Sequence, residues 1–276
     1  MSEGAIKLRS RTHGEAGPDV IALHGGPAGV GEAEPVARGL SGKFSVYEPF
    51  QRGSGDVPLT VAVHIEDLHQ FIQDVTLDSK PSLVGQSWGA MLALAYASIY
   101  TESISALALV GCGTFDAESR RKMEETIDSR LDETVKRRIL SLANEYPDPT
   151  LRTRAQHALI ERAYSYDPIP DPDQLNLNEP FDSRAHTETW NDMIKLQEEG
   201  YFPAAFSRIK APVLMIHGDY DPHPGEMIHA KLKSYIPQLE YHKLTNCGHM
   251  PWQERRARKE FFMVLSNWLL QNTERP

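Results

Sequence analysis

A serine between two glycines is the first group in this sequence that could do covalent chemistry. Ser87 stands in Gly85-Gln86-Ser87-Trp88-Gly89, after an apolar run and before a run of helix-forming residues. At a sharp turn from strand to helix a serine hydroxyl is exposed, and small flanking residues let the backbone pass closely. The pattern therefore predicts that Ser87 is a nucleophile, although the same five residues by themselves also fit an ordinary tight turn.

A nucleophilic serine needs a histidine to accept its proton and a carboxylate to orient that histidine. In one known arrangement the acid follows a late strand, and the histidine lies in the loop after the last strand. Asp221 follows the apolar run 213–217, and His249 lies in a loop after residue 244. We predict Asp221 as the orienting acid and His249 as the base. Asp219 is the alternative acid, whose other role would be to cap the turn.

Two backbone amides could bind the negative charge that develops on a substrate oxygen. One donor is expected from Trp88, the residue after the nucleophile, and the other from a loop after an early strand. The loop His24-Gly25-Gly26-Pro27 has glycines that let an oxygen approach the backbone. We choose Gly26 as the second donor. The alternative is a turn that binds no ligand.

The elements that position these residues alternate between short apolar runs and helical patterns. This alternation predicts an α/β fold with a mainly parallel central sheet flanked by helices. The predicted strands are Val20–His24, Phe44–Tyr47, Ser82–Gln86, Ile104–Val110, Val213–His217 and Leu239–Leu244, and the predicted helices are Val61–Thr76, Trp88–Ser98 and Glu254–Leu270.

The stretch 114–207 breaks this alternation, because it has helical patterns and proline-rich joints but no strand pattern. We predict that it is an inserted helical cap and that residues 1–113 and 208–276 form the core. One cap helix is predicted from apolar residues at every fourth position: Met123, Ile127, Leu131, Val135 and Ile139. Another cap helix is predicted to begin at Ser183 and to end before Gly200.

Composition restricts the class of partner. The formal net charge of -9 disfavours nucleic acid and anionic membranes, so a small molecule or a short peptide is the expected substrate. The first eleven residues lack the apolar core of a signal peptide, and we expect a cytoplasmic protein that does not span a membrane. Cys112 and Cys247 are wrongly spaced for a zinc site. We therefore expect neither a metal nor a cofactor, and oligomeric state cannot be read from the sequence.

Together the motifs resemble those of the α/β-hydrolase superfamily, and within it the chain is most similar to the proline iminopeptidase branch. The resemblance covers roughly residues 20–110 and 211–270, and it implies a Ser-Asp-His triad with esterase or aminopeptidase-like activity. The motifs that carry it are the His-Gly-Gly-Pro loop, Gln51-Arg52-Gly53-Ser54-Gly55, Gly85-Gln86-Ser87-Trp88-Gly89, Gly218-Asp219-Tyr220-Asp221 and Gly248-His249. The chain differs from that branch at Ala28, Phe50, Val57 and Gln86.

Three functions are compatible with these residues. The first is hydrolysis of a small ester or amide through an acyl-enzyme. The second is a small-molecule sensor that retains the triad, and the third is a lyase or carbon–carbon bond hydrolase on the same scaffold. An aminopeptidase would need cap carboxylates near the nucleophile to bind the substrate amine. The candidates for this role, none of which a motif selects, are Glu161, Glu179, Glu188 and Glu198.

Overall fold

A seven-stranded sheet forms the centre of the protein. The structure is a computed structural model that describes residues 6–76, 79–170 and 181–273. Its strands lie in the order β1-β3-β2-β4-β5-β6-β7. The strands are β1 (Ser10–His13), β2 (Asp19–Leu23), β3 (Ser45–Pro49), β4 (Ser82–Gln86), β5 (Leu107–Val110), β6 (Val213–Gly218) and β7 (Leu239–Leu244).

The sheet is parallel except at one edge, where β1 pairs with β3 in antiparallel register. Parallel strands end at the same edge of a sheet, so the loops after β2, β4, β6 and β7 meet there. The predicted α/β fold class is confirmed. The edge strand β1 was not predicted, and β5 begins later than the predicted strand at Ile104.

Helices cover both faces of the sheet. A group of further helices is inserted in the chain after β5 and before β6. The two faces have separate cores, since alternate residues of β2 point to opposite sides: Ile21 and Leu23 to one core, Val20 and Ala22 to the other. The helices are α1 (Glu34–Leu40), α2 (Val61–Thr76), α3 (Trp88–Ile99), α4 (Ala117–Arg130), α5 (Glu133–Glu145), α6 (Pro149–Tyr164), α7 (Ser183–Glu198), α8 (Gly225–Lys233) and α9 (Arg258–Asn272).

The prediction of one helix through Met123 and Ile139 is wrong, because this stretch forms α4 and α5. Leu131 has an extended backbone, and the Asp132 carboxylate accepts hydrogen bonds from the amides of Thr134 and Val135. An aspartate in this position begins a new helix. A helix has 3.6 residues per turn, so a strict spacing of four drifts by about 40° at each step and does not describe one face.

Helix α7 is joined to the core by its own polar side chains. The carboxylates of Asp182, Glu188 and Asp192 accept hydrogen bonds from the backbone amides of residues 54, 59 and 61. Thr189 contacts His64 of α2 at 2.9 Å. Helix α7 therefore packs on the core as a fixed element, and the boundaries of the predicted cap stay a prediction. Within the described residues, no helix is both long enough and apolar enough to cross a membrane.

Candidate active site

Ser87 lies at the junction of β4 and α3 in a backbone conformation that side-chain-bearing residues rarely adopt. Its φ is 54° and its ψ is -115°. Ser87 is partly exposed, whereas Gln86 and Trp88 on either side are buried. A Cβ at Gly85 would collide with the backbone of Gly89, so the turn needs its small residues. The local structure is the sharp strand-to-helix turn that the motif predicts.

The His-Gly-Gly-Pro loop lies directly beside this serine. A Cβ at Gly25 would be 3.2 Å from the Cβ of Ser87. Gly26 has a φ of 112°, which favours glycine. Among the hydrogen bonds of the described residues, none uses the backbone amides of Gly26 or Trp88 as donors. Neither predicted donor therefore has a protein acceptor within the described residues, and their role in binding an oxygen stays a prediction.

A buried polar network supports that loop. The backbone amide of Gln51 donates to His24 Nε2 at 3.2 Å, so the hydrogen of this imidazole is on Nδ1, which donates to Gly25 O at 2.9 Å. Gln51 also donates to His24 O at 3.1 Å and accepts a hydrogen bond from Trp88 Nε1 at 2.7 Å. Burial lowers the pKa of His24 to about 4. A neutral histidine thus connects the loop to the residue after Ser87.

The structure brings Asp221 and His249 together. His249 Nδ1 lies 2.7 Å from Asp221 Oδ2, and both side chains are buried. Asp219 takes another role, because its carboxylate accepts a hydrogen bond from the backbone amide of Cys247 at 3.3 Å. Of the two candidate acids, Asp221 is therefore the one that contacts the histidine.

Ser87 and His249 both lie close to the end of β5. The amide of Ser87 donates to Val110 O at 2.9 Å, while a Cβ at Gly111 would lie 3.0 Å from His249 Nδ1. Among the hydrogen bonds of the described residues, none joins Ser87 to His249. Both candidate residues are thus neighbours of the dipeptide 110–111, and hydrogen bonds between a serine and a histidine in active sites commonly tighten only when substrate is bound.

Two further histidines, which sequence reasoning missed, contact Asp221. His223 Nδ1 lies 2.9 Å from Asp221 Oδ1, and His217 Nε2 lies 3.2 Å from Asp221 Oδ2. Burial alone would raise the pKa of Asp221, but His249, His217 and His223 hold it well below its usual value. Burial lowers the pKa of His217 and of His223, so both are neutral near pH 7. The motif Asp221-Pro222-His223 was the available signal in the sequence.

Asp221, His223 and His249 are also a group that could hold a metal, since their ligand atoms lie within 4.8 Å of one another. However, an ionised carboxylate only accepts hydrogen bonds, so the two Nδ1 atoms that face it carry hydrogens. A metal would have to displace both hydrogens. The hydrogen-bonded arrangement fits acid–base chemistry better than metal binding.

The end of α6 and the residues after it are attached to the His249 loop. The backbone amide of His249 donates to Tyr164 O at 2.8 Å, and the Tyr164 ring packs edge-on against the His249 ring at 5.5 Å. The buried carboxylate of Glu254 accepts hydrogen bonds from the amides of Gly248, Tyr166 and Asp167 at 2.9, 2.8 and 2.7 Å. The loop that carries His249 and the residues that follow α6 are therefore joined by several hydrogen bonds.

Glu32 is a second acidic group near the base. It follows the His-Gly-Gly-Pro loop, and its carboxylate lies against Gly29. Burial raises the pKa of Glu32, and His249 opposes that rise. The sequence offered no motif for this residue. Glu32 is therefore a buried carboxyl group beside the His-Gly-Gly-Pro loop that interacts electrostatically with His249.

The cap carboxylates suggested by the sequence do not gather at the site. Glu161 and Glu198 are exposed, Glu188 is bound to the amide of Leu59, and Glu179 lies outside the described residues. Arg52, in the second glycine-rich motif, pairs with buried Asp67 of α2 and braces the core.

Comparison with known proteins shows the family and the fold of this chain. The profile of a family described as alpha/beta hydrolase fold matches residues 18–254. The chain is similar to a 2-hydroxy-6-oxo-6-(2'-aminophenyl)hexa-2,4-dienoic acid hydrolase of Metapseudomonas resinovorans, with 24% identity over 261 residues that cover 90% of this chain and 83% of that protein. It is also similar to a proline iminopeptidase of Lactobacillus helveticus, with 25% identity over 297 residues that cover 93% and 91%.

A solved structure of a thermophilic esterase from Thermogutta terrifontis has the same fold. The TM-score is 0.63 at 20% identity, and the match covers 97% of this chain and 94% of that chain.

Proposed function

This chain belongs to the α/β-hydrolase family, and we propose that it is a serine hydrolase that cleaves a small ester or amide through an acyl-enzyme. The observation that carries the proposal is the 2.7 Å hydrogen bond between His249 and Asp221 at the sheet edge where Ser87 occupies its strained turn. Family membership agrees with the resemblance of the motifs. The substrate class belongs to the proposal, with a small molecule or a short peptide as the expected substrate.

The proposed reaction uses the predicted residues in fixed roles. His249 Nε2 accepts the hydroxyl proton of Ser87, whose oxygen forms a bond to the substrate carbonyl carbon. The carbonyl electron pair moves to the oxygen, which the amides of Gly26 and Trp88 stabilise. Collapse breaks the bond to the alcohol or amine, which takes the proton from His249. Water then attacks the acyl-enzyme in the same manner and releases the acid and free Ser87.

A fluorophosphonate probe tests the nucleophile without knowledge of the substrate. We expect covalent labelling of Ser87, identified by mass spectrometry of the labelled peptide, and a loss of labelling by a factor of about 10³ or more in Ser87→Ala. Ser98→Ala is the matched control, because Ser98 lies in the same helix with its hydroxyl bonded to Ala95 O. Undiminished labelling of Ser87→Ala would overturn the assignment.

Two substrate series then separate esterase from aminopeptidase. Proline anilides and p-nitrophenyl esters should both be tested, and a free N-terminal proline should be compared with its N-acylated form. Loss of turnover on acylation would favour the peptidase activity named for the Lactobacillus relative. Binding of a small molecule without turnover in any series would instead favour the sensor function.

A second candidate function is hydrolysis of a conjugated hydroxy-oxo-dienoic acid, because the Metapseudomonas relative carries that name. Water would cleave a carbon–carbon bond. The hydroxyl group of water would end on one of the two carbons, and a hydrogen on the other. Loss of the ultraviolet absorbance of the conjugated compound would detect the reaction. The same loss with Ser87→Ala would show that this chemistry does not depend on the nucleophile.

A further inference from the structure

His223 contacts both the proposed base, His249, and the proposed orienting acid, Asp221. Its Nδ1 lies 2.9 Å from Asp221 Oδ1, the oxygen that His249 does not use, and its own backbone amide donates to that oxygen at 2.9 Å. The rings of His223 and His249 are stacked, with centroids 4.6 Å apart and planes inclined by 18°. One side chain thus binds the acid and covers a face of the base.

The hydrogen positions follow from the acceptors. His217 Nε2 lies 3.0 Å from the carbonyl oxygen of His223, which can only accept, so this nitrogen carries a hydrogen. Ionised Asp221 likewise requires hydrogens on Nδ1 of His223 and of His249. The carboxylate is therefore surrounded by N–H donors, and this tautomer of the neutral His249 imidazole has its lone pair on Nε2, as a base needs.

We propose that His223 is a positioning residue for the base, and this inference rests on the proposed function. Its Nδ1–H fixes the plane of the Asp221 carboxylate, and its ring fixes the plane of His249. When His249 takes the proton from Ser87, the resulting imidazolium stays stacked on a neutral imidazole and bonded to an oriented carboxylate.

Other groups also face this pair. His217 of β6 lies 3.2 Å from Asp221, and the ring of Tyr164 at the end of α6 packs against both imidazole rings. The charge of Asp221 also acts on Cys112, and Glu32 interacts electrostatically with His249. None of them both donates to Asp221 and stacks on His249. The contribution of His223 is therefore separable by substitution.

Two substitutions separate the two contacts. His223→Asn keeps an N–H near the position of Nδ1 and removes the ring, whereas His223→Phe keeps the ring and removes the N–H. Loss of a donor leaves the charge of Asp221 less compensated, so the carboxylate attracts the His249 proton more strongly. For His223→Phe we expect the acid limb of the fluorophosphonate labelling rate to move upward by about half to one pH unit. For His223→Asn we expect an unmoved limb and a rate lowered about tenfold.

The matched controls are His229→Asn and His229→Phe, because His229 is also stacked on a ring, that of Tyr241, but lies outside the site. Labelling rates and acid limbs of both His223 variants equal to those of the controls would overturn the proposal. An unmoved limb in His223→Phe would overturn the role of its N–H.

A spectroscopic measurement separates this inference from the proposed function. The Nδ1–H proton of His249 should give a low-field resonance in Ser87→Ala, where no acyl transfer occurs. We expect this resonance to move in Ser87→Ala/His223→Phe and to stay in place in Ser87→Ala/His229→Phe. If wild-type Ser87 fails to react with the probe, the proposed function is wrong. If the resonance is indifferent to His223, the positioning role is wrong.

Discussion

Ser87 adopts a positive φ of 54° although it carries a side chain. Such conformations cost about 1–3 kcal/mol and persist where the surroundings impose them, commonly at functional sites. Here the neighbours that impose it are the end of β5, which accepts the Ser87 amide, and the packed helix α3 that follows. The strain exposes the hydroxyl at the expense of stability.

This strain predicts an order of stability between two inactive variants. Ser87→Gly should be more stable than Ser87→Ala by about 1–2 kcal/mol, because only glycine adopts this conformation without a steric penalty. The free energy of unfolding in urea measures the difference. Ser98, in the last turn of the same helix and without a positive φ, supplies the control: there Ala should be more stable than Gly, by up to about 1 kcal/mol. The same order at both positions would contradict the assignment of strain to Ser87.

At the scale of elements, Glu254 joins the residues after α6 to the loop that carries His249. Its buried carboxylate accepts three backbone hydrogen bonds from residues 166, 167 and 248. Hydrogen bonds to a charged group contribute about 1.5–3 kcal/mol each when one partner is removed. The position of His249 therefore depends on a residue that has no role in the chemistry itself.

Glu254→Gln replaces one acceptor oxygen by an NH₂ group that faces another donor. We expect the free energy of unfolding to fall by about 2–3 kcal/mol and the labelling rate of Ser87 to fall with it. Glu260→Gln, at a partly exposed pair with His242, should change stability by less than about 1 kcal/mol. Equal effects of the two substitutions would show that the carboxylate does not connect the cap to the loop.

At the scale of the whole molecule, buried ionisable groups make stability depend on pH in opposite directions. Burial lowers the pKa of His24 to about 4 and that of His64 to about 3, from 6.5. As the pH falls, the unfolded chain takes up these protons before the folded protein does. The contribution of the two neutral histidines to the free energy of unfolding is therefore present above pH 6.5 and is lost as the pH falls. Burial raises the pKa of Glu48 from 4.5 to about 7. Its contribution is present below pH 4.5 and is lost as the pH rises through 7.

Glu48→Gln therefore should stabilise the protein above pH 7. The gain should be small near pH 4.5 and reach at most about 3 kcal/mol above pH 7, because the neutral amide has no charge to bury. Loss of the contacts with Arg11 and His13, each 3.5 Å from the carboxylate, will reduce it. Urea unfolding at several pH values measures the effect, with exposed Glu15→Gln as the control. A gain that does not grow with pH would contradict the raised pKa.

Local patterns in the sequence were sufficient to predict many strands and helices of the core. The bounds of Ser82–Gln86, Leu239–Leu244 and Val61–Thr76 agree with the structure, because long apolar or periodic runs have few alternative conformations. The start of α7 at Ser183 also agrees with its prediction, and in the structure the Asp182 carboxylate caps this helix. Chain order and glycine spacing also selected Ser87, Asp221 and His249, whose roles remain predictions.

Only the tertiary structure decided the rest. Ser10–His13 has no apolar alternation and forms a strand because the backbone groups at the edge of β3 need partners. The break before Asp132 was hidden by a four-residue spacing that resembles one helical face. His223, Glu32 and Glu254 gain their importance from contacts with segments far away in the chain, and no local pattern encodes such contacts. By itself the sequence determined the fold class and which residue types could do chemistry, whereas the environment of each group depended on which loops meet at one edge of the sheet.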